Sequence, residues 1–346
     1  MGAACSTEWG DEGLGGRGAK AQAAHKSRAH ETARHWHDKM MMSAASQARL
    51  KPHALMLAVG GGYMEASANP NAGISGVTPL MVAAASGQVE VARMLINCGA
   101  AATGACAARG RTALHRAAER SHADVARLLI QAGASVDIGD FEETTALMLA
   151  AAEGHPDVLK VLLCAGASVS LANSAGESAL SFCVRNKHEA CLETMLRAGA
   201  PVNAANRTTG NTALAEAAKV GSEVLCRRLL QYQANVNSSN ARGETPLMLA
   251  ATGGHDQVAR MLLVAGANTA AEDVNGHTAI MHAAGSSVAV VSALLDFGSN
   301  PSVVSEVDCN TAATLAALNG RKEVYDLLVR AGAFVPVVED TGDRVT

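Results

Sequence analysis

The sequence predicts an all-α repeat protein, a solenoid of helix–turn–helix units with β-hairpin tips, and three observations support this prediction. A threonine or serine heading recurs eight times at steps of 33 or 34 residues, at Thr78, Thr112, Thr145, Ser178, Thr212, Thr245, Thr278 and Thr311. A glycine followed by alanine comes 21 residues after most headings. Two short segments with helical periodicity lie between each heading and its glycine.

Each unit should begin with a helix that its heading caps. The heading hydroxyl can accept a hydrogen bond from a backbone N–H group of the first turn, and Pro79 stands where proline favours a helix start. Alanine pairs such as Ala83-Ala84 leave little side-chain bulk, so we expect successive first helices to pack closely. Glycines such as Gly87 permit the positive φ of a tight turn, and a run such as Val125 to Leu129 should form the second helix.

Two units depart from this pattern. Gln233 stands where the other units have the glycine that caps the second helix, and a left-handed backbone there costs a residue with a side chain roughly 1 kcal/mol. The seventh unit reaches its glycine, Gly298, after 20 residues, and Gly285-Ser-Ser287 replaces its Gly-His turn. We therefore expect the seventh unit to be a weak point.

The headings Thr112-Ala-Leu-His-Arg-Ala-Ala118 and Thr245-Pro-Leu-Met-Leu-Ala-Ala251 resemble those of the ankyrin repeat, which implies an ankyrin-type solenoid over residues 78 to 335. The histidine that is usual in this heading is kept only as His115. We interpret residues 52–73 as an N-terminal capping half-repeat. The predicted domains are a basic leader at 1–51, flexible or helical, a repeat domain at 52–335 and a tail at 336–346.

Composition and charge argue against three classes of protein, namely membrane-spanning, disulfide-bonded and nucleic-acid-binding proteins. No apolar run approaches the 18 or so residues of a membrane-spanning helix. The eight cysteines contain no CxxC pair, which is typical of free thiols in a reducing compartment, so we expect a cytoplasmic protein. The formal net charge of −4 is too close to neutral to indicate nucleic-acid binding.

The resemblance implies that the chain binds another protein with the groove formed by its first helices and hairpin tips. Residues four and seven positions after each heading should line this groove, and we call these residues the groove row. The predicted binding residues are Arg116, Leu149, Phe182, Arg185, Glu216, Lys219, Leu249 and His282. Two interpretations of Leu149, Phe182 and Leu249 stand, an apolar patch for the partner or packing within the scaffold.

These observations favour a non-enzymatic adaptor or scaffold whose partner the sequence does not identify. One alternative is a permanent structural subunit of a larger assembly. Another is the targeting subunit of a separate enzyme, which the sequence cannot distinguish from an adaptor.

The leader carries an acylation pattern. Met1-Gly-Ala-Ala-Cys-Ser6 has glycine at the second position and serine at the sixth, so Gly2 is a candidate for myristoylation and Cys5 for a second acyl chain. Residues 13–51 hold eight basic against two acidic side chains, a composition suited to an anionic membrane surface. The alternative interpretation is an ordinary chain start followed by a disordered tail.

We find no catalytic, cofactor-binding or metal-binding motif, and we expect no small-molecule substrate. The segment Gly13-Leu-Gly-Gly-Arg-Gly18 fits a dinucleotide fingerprint, but no strand precedes it. The segment His30-Glu-Thr-Ala-Arg34 has arginine where a metalloprotease needs its second histidine. Cys183 and Cys191 lie in the two helices of one unit and should be core residues.

Overall fold

The computed structural model describes residues 70–71 and 76–334, which form sixteen helices in eight pairs. The pairs are α1 (Pro79–Ala85) and α2 (Val89–Asn97), α3 (Ala113–Glu119) and α4 (Ala123–Gln131), α5 (Ala146–Glu153) and α6 (Pro156–Cys164), α7 (Ala179–Arg185) and α8 (Glu189–Arg197), α9 (Ala213–Val220) and α10 (Glu223–Gln231), α11 (Pro246–Thr252) and α12 (Asp256–Val264), α13 (Ala279–Ala284) and α14 (Val288–Asp296), and α15 (Ala312–Leu318) and α16 (Lys322–Arg330). The predicted all-α repeat is confirmed.

The helices form two layers. Each first helix packs on the first helices of the neighbouring units, and each second helix packs on neighbouring second helices. The predicted alanine pairs are fully buried between first helices, as Ala83 and Ala84 show. Leucines such as Leu162 fill the space between the layers with no exposed surface. Small side chains thus allow the first helices to approach closely, while larger ones join the two layers.

Six of the eight heading hydroxyls cap their first helices as predicted. Thr78, Thr145, Ser178, Thr212, Thr245 and Thr311 each accept a hydrogen bond from the backbone N–H three residues later. In the second unit, Nδ1 of His115 accepts from the backbone N–H of Thr112 at 3.1 Å. The other ring nitrogen, Nε2, therefore donates to the Thr144 carbonyl at 2.9 Å and joins the second unit to the third.

The hairpin tips close with single antiparallel bridges, such as Ala105 with Thr112 and Glu272 with Thr278, and the described residues contain no β-sheet. Backbone hydrogen bonds also join one tip to the next, since the N–H of Phe141 donates to the Arg109 carbonyl at 3.0 Å. The tips are therefore short, but they are tied to one another along the array.

Gln233 adopts the left-handed conformation that the sequence predicts, with φ of 63°. The equivalent residue of every other unit is a glycine with positive φ, as at Gly199. Four further residues with side chains take positive φ at positions where other units have glycine, namely Ser121, Glu143, Lys187 and Cys309. At these positions the backbone keeps the pattern of the glycine-containing units even where the sequence departs from it.

A second series of side chains bridges the units at the turn between the two helices. The imidazole Nε2 atoms of His122, His155, His188 and His255 lie 3.0–3.3 Å from a carbonyl oxygen of the preceding unit. In the seventh and eighth units, Ser286 and Arg321 make the equivalent hydrogen bond. Ser222 of the fifth unit caps its own helix instead, and it makes no such bridge in the described part of the chain.

The seventh unit is irregular, as expected. Its first helix, α13, has six residues, and the following Gly285 has a right-handed φ of −86°. The hydroxyl of Thr278 is buried and has no hydrogen-bond partner among the described residues. A buried hydroxyl without a partner costs about 1–3 kcal/mol, so the expected weak point has a physical basis.

The predicted leader, most of the capping half-repeat and the whole of the tail lie outside the described residues, and their boundaries stay predictions. No helix within 70–71 and 76–334 is both long and apolar enough to span a bilayer.

Candidate functional site

The groove row contains the more exposed side chains of the first helices. Arg185 and Lys219 are exposed, and Arg116, Glu216 and His282 are partly exposed. Leu149 and Leu249 each keep 8% of their surface exposed and pack within the scaffold, which favours the second of the two interpretations for these leucines. Gly2 and Cys5, the candidate acylation sites, lie outside the described residues.

Phe182 is half-buried beneath another member of the groove row. The guanidinium carbon of Arg185 lies 4.9 Å from the centre of the Phe182 ring, within the range of a cation–π interaction. Arg185 also forms an ion pair with Glu177, which holds the guanidinium over the ring. This unit therefore presents a positively charged guanidinium group packed on an aromatic ring.

The second and third units carry an ion-pair network. The Arg111 guanidinium lies 3.1 Å from a carboxylate oxygen of Asp140 and 3.3 Å from one of Glu119. Arg116 joins the network through Glu119 at 3.2 Å. Burial disfavours the charged form of Asp140, but the backbone N–H of Thr144 and the Arg111 guanidinium outweigh it and lower the pKa of this carboxyl. Arg116 is thus held in a fixed position.

Side-chain amides of asparagine hold neighbouring polar side chains in place in the middle of the groove. The side-chain amide of Asn211 donates to Glu216 at 2.6 Å, and that of Asn240 donates to Asn211 at 2.9 Å and to Glu244 at 2.8 Å. The Lys219 ammonium forms no ion pair with any described residue. This part of the groove therefore presents a fixed carboxylate beside a lysine that is free to meet a partner.

The seventh unit contains a cluster of histidines and aspartates. The Nε2 atom of His282 lies 3.1 Å from Oδ2 of Asp273, and its Nδ1 atom lies 3.1 Å from Oγ1 of Thr252. The Nε2 atom of His277 lies 2.8 Å from Oδ2 of Asp308 on the next hairpin. Sequence reasoning found His282 and missed the other three members, although the Asp273-x3-His277-x4-His282 spacing offers a weak signal.

Two buried thiols, those of Cys183 and Cys226, are poor nucleophiles. Cys183 and Cys191 are both core residues, as predicted. The hydrogen bond with Cys191, together with burial, raises the pKa of the Cys183 thiol. Burial also raises the pKa of Cys226 to about 12. Because the thiolate is the reactive form, the thiols of Cys183 and Cys226 act as apolar core groups.

Comparisons with known proteins agree with this architecture. A family model described as ankyrin repeats, in three copies, matches residues 23–140, 98–173, 136–206, 180–273 and 262–338. The ankyrin repeat domain of Bcl-3, a member of the IkappaB protein family, is similar with 29% sequence identity and a TM-score of 0.59, over 64% of this chain and 100% of that chain. The human ASB11 ankyrin repeat domain is similar with 27% identity and a TM-score of 0.59, over 65% and 100%.

No curated protein sequence matches the chain. Ankyrin repeat domains are generally protein–protein interaction modules, and they are typically non-enzymatic. The family model covers most of the chain and the eight helix pairs have the expected form, so this protein belongs to the ankyrin repeat family.

Proposed function

We propose that the protein is a non-enzymatic adaptor that binds another protein along the groove row and is held at the cytoplasmic face of a membrane by an acylated leader. One observation carries the first part of this proposal. The charged groups of the groove are fixed by their neighbours, as in the network of Arg111, Arg116, Glu119 and Asp140. Side chains that are ordered before binding lose less conformational entropy when a partner docks.

Arg185 and Lys219 mark the centre of the proposed interface. Both are exposed, they lie on the first helices of neighbouring units, and α7 packs directly on α9. Arg185 rests on Phe182, so it can offer a charged edge and an apolar surface together. Arginine and aromatic residues are the types that contribute most to protein interfaces. A partner segment with acidic and apolar side chains would complement this region.

Two variants of the full-length chain test the interface. One carries a photo-reactive residue at position 182, and the other, as the comparison, carries it at position 160 on α6. We expect a partner to be captured from position 182 and not from position 160. The affinity of the purified partner should then fall at least tenfold in the double variant Arg185→Glu, Lys219→Glu.

The matched control is the double variant Arg127→Glu, Lys160→Glu, which makes the same charge change on two second helices where both side chains are more than half exposed. It should leave the affinity within twofold of the wild type. Equal losses in the two double variants would mean that net charge, and not the groove row, controls binding. A chain that is insoluble or unstable alone would instead favour the permanent-subunit alternative.

The membrane part of the proposal rests on Gly2, Cys5 and the basic leader. One myristoyl chain binds a membrane only marginally, so Cys5 acylation or the basic residues must supply the second signal. Replacement Gly2→Ala should move the protein from the membrane fraction to the soluble fraction, and Cys5→Ser should do so in part. Wild-type protein that is already in the soluble fraction would refute the anchor.

A further inference from the structure

We propose that Asp273, His277 and His282, completed by Asp308 of the eighth unit, bind one divalent transition-metal ion of the zinc class. The first three side chains each offer a ligand atom, and these atoms all lie within 4.8 Å of one another. Imidazole nitrogen and carboxylate oxygen are ligands that zinc accepts in four-coordinate sites. This inference departs from the sequence-based expectation of no metal, and it does not depend on the proposed protein-binding function.

The distances suit a small ion. Metal–ligand bonds of about 2.0–2.1 Å at tetrahedral angles place ligand atoms about 3.3 Å apart. The Asp273–His282 pair at 3.1 Å and the His277–Asp308 pair at 2.8 Å already lie close to this separation. The separations among the first three ligand atoms, all within 4.8 Å, must shorten by at most about 1.5 Å, and Asp308, which contacts only His277 of the three, must move toward Asp273 and His282; side-chain rotation can supply both changes.

The hydrogen bonds of Thr252 determine where His282 carries a proton. When the Thr252 hydroxyl donates its hydrogen to the Met248 carbonyl at 3.0 Å, its oxygen accepts from Nδ1 of His282 at 3.1 Å. In a neutral imidazole, Nε2 is then unprotonated, and its lone pair faces Oδ2 of Asp273 at 3.1 Å. Two acceptor atoms so close together need a cation between them or a second proton on the ring. A hydrogen-bonded Nδ1–H that directs Nε2 toward a metal is the usual arrangement of zinc-binding histidines.

The charges of the cluster also favour a divalent ion. Asp273 Oδ1 accepts the backbone N–H groups of Asn275 and His277. Asp308 accepts the backbone N–H of Asn310 at 3.1 Å and the side-chain amide of Asn310 at 2.7 Å. No described lysine or arginine forms an ion pair with either carboxylate. As ligands of one divalent cation, two carboxylates would balance its charge, and two imidazole nitrogens would complete four-fold coordination.

The ion would join three elements at the irregular seventh unit. Asp273 and His277 precede α13, His282 lies on α13, and Asp308 lies on the hairpin that leads to α15. The same unit holds the unpartnered hydroxyl of Thr278. An ion that binds only the folded chain would therefore stabilise the seventh unit, which the preceding observations identify as the weak point of the array.

Zinc titration of the full-length chain, after removal of metal with a chelator, tests the proposal. The histidines of the leader must first be replaced by glutamine, because they could bind zinc independently: His25, His30, His35 and His37. In this background, calorimetry should show one zinc ion per chain, and zinc should raise the thermal midpoint. The double variant His277→Gln, His282→Gln should lower the affinity at least 100-fold and abolish the midpoint shift.

Two further variants keep the test independent of folding defects. Thr252→Val retains all four ligands and removes the acceptor for Nδ1 of His282, so it should lower zinc affinity about tenfold. His255→Gln removes an imidazole that bridges to the Lys219 carbonyl outside the cluster, and it should leave the affinity within twofold. Absence of stoichiometric binding in the leader-substituted chain, or equal affinity with and without His277 and His282, would overturn the proposal. A thermal midpoint that does not respond to zinc would overturn it too.

Discussion

Replacement of Gln233 by glycine should stabilise the repeat domain. Gln233 is exposed and has a φ of 63°, and relief of that strain is worth about 1–2 kcal/mol. Glycine also raises the conformational entropy of the unfolded chain, which offsets about 0.4–1 kcal/mol of this gain. The net gain in the free energy of unfolding should be about 1 kcal/mol, or a rise of about 2–4 °C in the thermal midpoint if the domain unfolds cooperatively.

The reverse change at an equivalent position is a matched control. Gly199 has a φ of 79°, and a Cβ placed there would meet no atom within 4 Å, so Gly199→Ala adds backbone strain without a steric clash. We expect it to lower the free energy of unfolding by about 1 kcal/mol. Gly221→Ala should cost more, because a Cβ there would lie 2.4 Å from the His255 ring.

Urea titration followed by far-UV circular dichroism measures these differences. Tryptophan fluorescence is unsuitable because both tryptophans, Trp9 and Trp36, precede the repeats. An unchanged or lower midpoint for Gln233→Gly, together with the expected loss for Gly199→Ala, would refute the argument. It would mean that the glutamine side chain stabilises the turn by more than the backbone strain costs.

Three other predictions test the core and the buried polar groups. Leu162→Ala should cost about 2–5 kcal/mol in urea titrations, whereas Val264→Ala, at a residue that is 77% exposed, should change the stability by less than about 0.5 kcal/mol. Burial lowers the pKa of His115. Its contribution to the free energy of unfolding should therefore be present above about pH 6.5, the value in the unfolded chain, and should be lost as the pH falls below that value. His115→Gln should flatten this decline, and an unchanged pH profile would refute the role of His115. Asp140→Asn should cost about 1–3 kcal/mol at pH 7, because Arg111 loses its buried partner. The pKa of Asp140 is lowered, so its contribution is present above about pH 3.9 and is lost as the pH falls through its folded-state pKa, and the wild type and Asp140→Asn should converge in acid.

Local features of the fold could be predicted from the sequence because each depends on a few neighbouring residues. A threonine before a helix, such as Thr145, caps it through a bond to the N–H three residues later. The strained conformation of Gln233 follows from the repeat period, since every aligned residue is a glycine. The irregularity of the seventh unit was visible in the length of its spacing.

Features that join different units could not be predicted. The groove position of Leu149 is fixed by the repeat, but its burial depends on how neighbouring helices cover it. The contact of Arg185 with Phe182 depends on a rotamer that Glu177 stabilises. Asp308 meets His277 across 31 residues of sequence, and only the stacking of the units brings them together.

The junction between the fourth and fifth units is a candidate place to divide the array, although the side chains of Asn206, Thr208 and Tyr232 still donate hydrogen bonds across it. Ser222 leaves this junction without the side-chain bridge between turns that His188 and His255 supply on either side. A chain divided in the loop between α8 and α9 would yield two pieces of four units, each with its own bridges intact. Such pieces should fold separately and recombine through the faces of α7 and α9, which would make the protein a natural source of split reporters.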